Sequence, residues 1–424
     1  MKSKQKTVSI LALILAGEAI FLLPFILMRV FRPIIREVLA ITDLEIGKAQ
    51  AFYGVTAMAS YVFGGLLADK WEPRKLISTS LIMTAFGGVF MMQLPSFHSL
   101  QLLYGFWGVS TILLFWAALI KATRLWGNTT TQGLSFGLLD GGRGAFAALI
   151  ATFGALIPSF IFPEDASEIT PEDTSKTLQY VIGFMTVVVM MVAVLVWKSL
   201  PDSDKNPEEN TTASSLISFT EILNIIRKPK VILHALIIIC AYSTYKVTDV
   251  YATYAQDVWG YNLKEASKFG VYIQWVRPFA AIIIGWIADK FVTSKVVLAC
   301  FGIIIIGYFI LGFGMFSNVV NAYALLTFFI MAVGIYAMRG LYFALIEEAK
   351  TPLLITGTVI GLLSFLGYTP DIFMSLISGY ILGDAPSLME YQKLFKVVLW
   401  FPTIGFLATL WFRKVMADEK SKTP

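Results

Sequence analysis

The sequence predicts an all-α membrane protein of twelve spanning helices, built as two parallel six-helix repeats. Three observations carry that reading: an apolar composition, apolar runs of spanning length along the whole chain, and a motif that recurs half a chain apart. Of 424 residues, 57% are apolar and 14% charged, against about a quarter charged in an average soluble domain. A run of about 20 apolar residues crosses a hydrocarbon core of roughly 30 Å, and such runs use up the length, leaving no room for a sizeable aqueous domain.

Apolar runs bounded by Gly, Pro, Asn and charged residues predict helices over 8–38, 45–68, 76–96, 99–123, 132–158 and 178–197 in the first half. The second half repeats the pattern over 231–255, 266–288, 295–315, 321–346, 355–382 and 392–412. Lys2, Lys4 and Lys6 precede a first run too long for a signal-peptide core, so it reads as an uncleaved helix that begins with an interfacial turn or lies tilted. The halves are residues 1–198 and 231–424, joined by a polar linker over 199–230 with one amphipathic stretch around Phe219 to Ile226. That linker is too short for a nucleotide-binding domain, and no glycine-rich phosphate loop occurs, which disfavours ATP-driven pumping.

The net charge is +5. Lys and Arg concentrate in the segments that are cytoplasmic when both termini are cytoplasmic, while the acidic loop from Phe162 to Lys176 falls outside, as the positive-inside bias requires. Asn128 and Asn210 begin glycosylation sequons on the cytoplasmic side, so no glycan is implied. Cys240 and Cys300 lie inside predicted spans without ligand spacing, so neither a disulfide framework, a metal site nor a cofactor is expected.

The repeat is the most specific signal. Gly65 to Trp71 (GLLADKW), followed by Lys75, recurs 220 residues later as Gly285 to Phe291 (GWIADKF), followed by Lys295. A fixed spacing of half a chain indicates duplicated halves, and an even helix number per half keeps both in the same orientation. A weaker echo joins Ala118 to Arg124 with Ala344 to Lys350, and Gly133 and Gly137 match Gly357 and Gly361 at the start of the next helices.

On these residues the chain resembles the major facilitator superfamily along nearly its full length, the Gly65 to Lys75 segment being similar to that family's loop between its second and third helices. Glu72 and Pro73 depart from the usual glycine and basic residue there. The segments from Arg339 (RGLYFAL) and Gly367 (GYTPDIF) resemble a bacterial branch of inner-membrane carriers, distantly similar to sugar-phosphate and organic-anion permeases. The resemblance implies alternating access about a site near the bilayer midplane. Asp69 with Arg74, and Asp289 with Lys295, are then expected to latch cytoplasmic helix ends in one state of the cycle. The fifth helix lacks the GPxxGG pattern of the family's proton-driven drug exporters.

Among the basic residues inside spans, five stand away from the span ends: Arg29, Arg143, Lys246, Arg277 and Arg339. Each costs about 2.5 to 3.5 kcal/mol at a helix centre, on the order of 15 kcal/mol together if they faced lipid, so they are expected to face an interior cavity. At 1.5 Å per helical residue, Arg277 and Arg143 lie roughly 18 and 16 Å from the cytoplasmic helix ends, Arg339 roughly 12 Å and Lys246 roughly 23 Å. The functional expectation is a cationic site for a carboxylate, phosphate or sulfonate, with Tyr245 and Tyr342 as hydrogen-bonding partners. The resemblance adds that sugar-phosphate permeases place one basic residue on each of the first and seventh helices, where Arg29 and Lys246 fall here. The structural alternative pairs these cations with Asp140, Asp249, Asp371 and Glu18, merely holding helices together. Asp140 and Asp249 lie three residues from Arg143 and Lys246 and share their helix faces, whereas Arg277 and Arg339 have no acid at helical spacing. Asp371, next to Pro370, is a candidate for proton coupling.

The sequence therefore predicts a secondary active transporter of the bacterial inner membrane, not an enzyme. It is expected to act as a monomer in the bilayer, without nucleic acid, and to move a small organic anion with a proton or by exchange. A carrier of neutral sugars or drug-like compounds, with structural arginines, is the rival within the class. A transport-dead sensor with a carrier fold is the rival outside it.

Overall fold

The computed structural model describes residues 3–127, 132–163, 169–200, 227–288, 290–315, 322–342, 344–349 and 353–421. Among these residues the chain is helical, without strands. The linker stretch around Phe219 to Ile226, both sequon asparagines and Asp289 lie outside the described residues, and the side chains of Asp69, Asp140 and Glu347 are likewise outside.

The first half contains α1 (Thr7–Val30), α2 (Asp43–Lys70), α3 (Pro73–Met91), α4 (Phe97–Thr123), α5 (Gln132–Ile161) and α6 (Pro171–Ser199). The second contains α7 (Pro229–Asp257), α8 (Leu263–Ala288), α9 (Thr293–Gly312), α10 (Ala322–Leu341), α11 (Leu353–Gly367, resuming as Pro370–Leu382) and α12 (Leu388–Ser421). Among the described residues nine helical stretches are long and apolar enough to cross a membrane. The other three, α2, α3 and α8, are helices of 28, 19 and 26 residues that carry more polar side chains.

The long first run is two helices. Pro24 cannot donate to the preceding turn, and the chain widens into a π-helical stretch over Leu22–Ile26, where Tyr104 Oη donates to the Pro24 carbonyl at 3.0 Å. The helix then breaks at Phe31, and a short helix, Arg32–Leu39, carries Pro33 in its first turn and ends on Ala40 in the left-handed region (φ 48°). The extra turn thus sits at the end of the span and not at its beginning. Thr42 and Glu45 form a capping box that starts α2, the Glu45 amide donating to Thr42 Oγ1 and the Thr42 amide to Glu45 Oε2.

Two apolar cores form, one from residues between Ala12 and Leu200 joined by Leu263 and Val271, the other from residues between Val231 and Met416. Across the halves α2 packs on α11 and α5 on α8. The α2–α11 contact is closest at the Asp43 end: a Cβ on Gly47 would lie 2.4 Å from the Ser375 carbonyl oxygen, and one on Gly379 2.5 Å from that of Asp43. Only glycine permits backbones this close. At the same end Asp43 holds Arg32 (2.6 Å) and Arg36 (3.3 Å), and Arg36 reaches Asp257 of the other half at 2.8 Å. The side away from the two chain ends is therefore sealed by backbone contact and ion pairs.

Candidate functional site

Between the halves lies a cavity with about 580 Å³ of atom-free space, lined from both halves by Glu18, Arg143, Arg277, Arg339, Asp371 and a set of aromatic rings that includes Trp116, Tyr242, Tyr245 and Tyr368.

One charge cluster lines it and a second lies behind its wall, reaching the cavity through Asp371, Tyr242 and Tyr245. In the first, the Glu18 carboxylate of α1 accepts from Arg277 Nη1 of α8 at 2.8 Å and Nη2 at 3.4 Å, and from Arg143 Nε of α5 at 3.2 Å. Glycines make room for these long side chains: a Cβ on Gly17 would meet Arg143 Cδ at 3.0 Å, and one on Gly144 would meet Arg277 Cγ at 3.1 Å. In the second cluster Arg29 Nε meets Asp249 Oδ1 at 2.6 Å, and Arg29 Nη1 donates to Tyr245 Oη at 2.7 Å. Lys246 Nζ sits 3.3 Å from both Asp249 Oδ2 and Asp371 Oδ1, and Tyr242 Oη donates to Asp371 at 3.1 Å. Arg29, Lys246 and Asp249 are almost fully buried, so each ion has traded hydration for its partner.

Arg339 is different. Among the described residues it has no carboxylate partner; its guanidinium lies 4.0 Å from the Tyr245 ring centroid and 5.8 Å from that of Tyr242. The Arg29 guanidinium stands 4.4 Å from the same Tyr245 ring, so one aromatic side chain serves two cations. Counting described side chains, five cations (Arg29, Arg143, Lys246, Arg277, Arg339) face three carboxylates (Glu18, Asp249, Asp371), a formal excess of two positive charges.

The expected site residues thus divide. Arg143, Arg277, Arg339, Tyr245 and Asp371 line the cavity. Arg29, Lys246 and Asp249 stand behind the wall as an ion-paired layer. Tyr342 is set back as well: it is buried, and its carbonyl accepts from His234 Nε2. Arg74 lies 4.8 Å from the Trp197 ring centroid on α6, and Lys295 borders an apolar groove on the outer face of α8, α9 and α10. Asp69 and Asp289, the acidic members of the expected latches, lie outside the described side chains. Glu18 is the cavity residue whose central position sequence reasoning undervalued; its signal was a lone carboxylate in the middle of a long apolar run.

Helical halves packed on each other at one side, with a charged cavity between them, form the arrangement of a membrane carrier. The family model of the Major Facilitator Superfamily matches residues 8–374, and the chain belongs to that superfamily. The chain is 26% identical to inner membrane protein YqcE of Escherichia coli K12 over 359 residues, covering 83% of this chain and 82% of the relative. It is 25% identical to inner membrane protein YihN of the same organism, covering 100% and 99%. Among solved structures, a D-xylose–proton symporter superposes with a TM-score of 0.72 at 14% identity, covering 96% of both chains. The protein is accordingly a multi-pass membrane protein with the fold of a secondary transporter of small molecules.

Proposed function

We propose that this carrier moves a small organic anion, such as a sugar acid, a sugar phosphate or another carboxylate or sulfonate, by alternating access. The observation that carries the reading is Arg339, which faces the cavity without a carboxylate partner among the described residues, in a setting where the described side chains around the cavity carry more cations than carboxylates. Cations inside a membrane protein are costly and are kept for a purpose. An anionic ligand would supply the missing counter-charge, and a guanidinium offers it a planar pair of donors.

Arg339 is the first contact in this reading, with Tyr245 fixing its position. The aromatic rings add flat apolar surface on which a sugar ring can stack. Arg29, Lys246 and Asp249 hold the two halves in register beside the site, and Asp371, bridged to Lys246 and Tyr242, is the exchangeable carboxylate nearest the cavity in that layer. Residues 1–198 and 231–424 rock as two bodies. With both termini cytoplasmic, the side sealed by α2 and α11 is external and the conformation faces inward. The aromatic lining by itself also suits a neutral sugar, which is the second reading.

A thermal-shift screen of the detergent-purified chain separates them, since a ligand at 100 times its Kd stabilises by about 2.7 kcal/mol. Stabilisation by anions, lost in Arg339→Gln, is the expected result. Stabilisation by neutral sugars alone, undiminished in Arg339→Gln, overturns the anionic reading.

A further inference from the structure

We infer that Tyr61 and Tyr368 form a clamp for a sugar ring, so that the cargo is a cyclic sugar acid or sugar phosphate, held by its two ring faces between the halves while its acidic group meets Arg339. The inference rests on the anionic reading above and narrows it to anions that carry a pyranose ring.

The clamp follows from how α2 and α11 diverge. Gly47, Gly54 and Tyr61 stand seven residues apart on α2, about two helical turns, and so share one face. A Cβ on Gly47 would lie 2.4 Å from the Ser375 carbonyl oxygen, and one on Gly54 would lie 2.9 Å from the Ile372 amide nitrogen. Backbone therefore lies against backbone along the first two rungs. The third rung carries a ring on each side. Tyr61 comes from the first half and packs against both apolar cores. Tyr368 comes from the second half, in the interruption of α11 between Gly367 and Pro370. Their rings are nearly parallel, 24° apart, with centroids 6.4 Å apart, and both line the cavity.

That separation is long for two rings in mutual contact, which stand about 4.5 to 7 Å apart. It is close to the spacing of about 7 Å that two faces take on either side of a third flat group, each in contact at about 3.5 Å. The repeat shows that packing the halves does not require these rings. Counted from the duplicated motif, Tyr61 corresponds to Ala281; counted from the matching Gly137 and Gly361, Tyr368 corresponds to Gly144. The other seam between the halves, α5 against α8, has small residues at these places, so the ring pair is an addition to one seam alone.

A pyranose suits these surroundings. Its two faces are mainly C–H and match aromatic faces, while its hydroxyl rim needs polar partners. The phenols of Tyr53 and Tyr242 and the carboxylate of Asp371 border the same space. Tyr242 also relates the clamp to the acid-binding end: its ring centroid is 4.8 Å from that of Tyr368 and 5.8 Å from the Arg339 guanidinium. A sugar ring held by Tyr368 can therefore direct an acidic substituent toward Arg339. An open-chain acid of the same charge reaches Arg339 too, but it has no pair of faces to offer and loses more rotational freedom on binding. The clamp thus selects the cyclic form.

The test is isothermal calorimetry on the purified full chain with two matched pairs of probes. Methyl α-D-glucopyranosiduronate is compared with D-gluconate, and glucose 6-phosphate with glucitol 6-phosphate. The members of each pair share their acidic group and differ in the ring, and methyl α-D-glucopyranoside serves as a neutral ring. The wild-type chain is expected to bind each cyclic acid about tenfold more tightly than its open-chain partner. Tyr61→Phe and Tyr368→Phe, which keep the ring, are expected to keep that preference; Tyr61→Leu and Tyr368→Leu are expected to lose it while still binding the open-chain acids. If a leucine variant does not fold, the wild-type comparison within each pair decides. Equal binding of cyclic and open-chain acids by the wild type, or a preference undiminished in the leucine variants, overturns the clamp while leaving the anionic reading standing. Binding of the neutral ring alone, lost in the leucine variants, sustains the clamp as a sugar site and overturns the anionic reading. No binding of any probe overturns both.

Discussion

Arg29 and Asp249 form a 2.6 Å ion pair between residues 220 positions apart, the same spacing that separates the two copies of the repeated motif. The pair therefore joins equivalent positions of the two halves, one on α1 and one on α7. Residues that lie beside a twofold axis meet their own equivalents, and here duplication followed by divergence has made one cationic and the other anionic. Both helices also depart from α geometry close to this point, α1 at Phe31 and α7 in the 3-10 turn Thr248–Val250.

Breaking that pair leaves one buried ion without its partner, which costs about 3 to 5 kcal/mol. Asp249→Asn should therefore lower the thermal stability of the purified protein markedly. Exchanging the charges, Arg29→Asp with Asp249→Arg, should recover a substantial part of the loss, because the positions are related by the repeat. A double-mutant cycle on melting temperature checks this, and a coupling near zero would show that the halves do not depend on the pair.

The cavity arginines should separate by what holds them. Arg339 lies on aromatic rings without a carboxylate partner among the described residues, so Arg339→Gln should cost less than about 2 kcal/mol of stability while removing the response to anions. Arg277→Gln takes away one of the two cations around Glu18 and should cost about 3 to 5 kcal/mol as well as ligand response. Melting curves with and without anion, measured on both variants, distinguish the two patterns.

Lys246 lies between two carboxylates, 3.3 Å from each. Lys246→Gln should destabilise the protein, and adding Asp371→Asn should restore part of it, because the second change removes a carboxylate that the first left exposed to Asp249. The expected coupling is about 0.5 to 3 kcal/mol. Additive losses would place Lys246 and Asp371 in separate networks.

The repeat, the helical class and the identity of the buried cations were all legible in the sequence, because each leaves a local mark: a spacing, an apolar run, a charge inside that run. Partners were legible only when they shared a helix. Lys246 and Asp249 are three residues apart, and their contact follows from helical periodicity. Glu18 meets Arg143 and Arg277 across 125 and 259 residues, and no periodicity encodes such a meeting. For the same reason Arg277, which has no acid at helical spacing, is nonetheless paired, and Arg29 and Lys246 stand behind the cavity wall. The break after Val30 was hidden because Pro24 and Pro33 sit inside a run that remains apolar throughout.

The close approach of α2 and α11 should be what seals the side away from the chain ends. A side chain at Gly47 would collide with the Ser375 backbone at 2.4 Å, so Gly47→Val should force the helices apart there. Spin labels on Lys48→Cys and Asp384→Cys, both at exposed positions at that end, should report a longer distance in the Gly47→Val background. An unchanged distance distribution would show that this contact does not control closure.

The central claim is that the positively charged cavity carries an organic anion through the membrane, and flux in proteoliposomes with a pH-sensitive dye sealed inside tests it most directly. Addition of sugar acids, sugar phosphates, dicarboxylates or sulfonates under an inward proton gradient should acidify the lumen faster than neutral sugars do, and Arg339→Gln should abolish the response. Acidification by neutral sugars alone, equal in wild type and Arg339→Gln, would contradict the account.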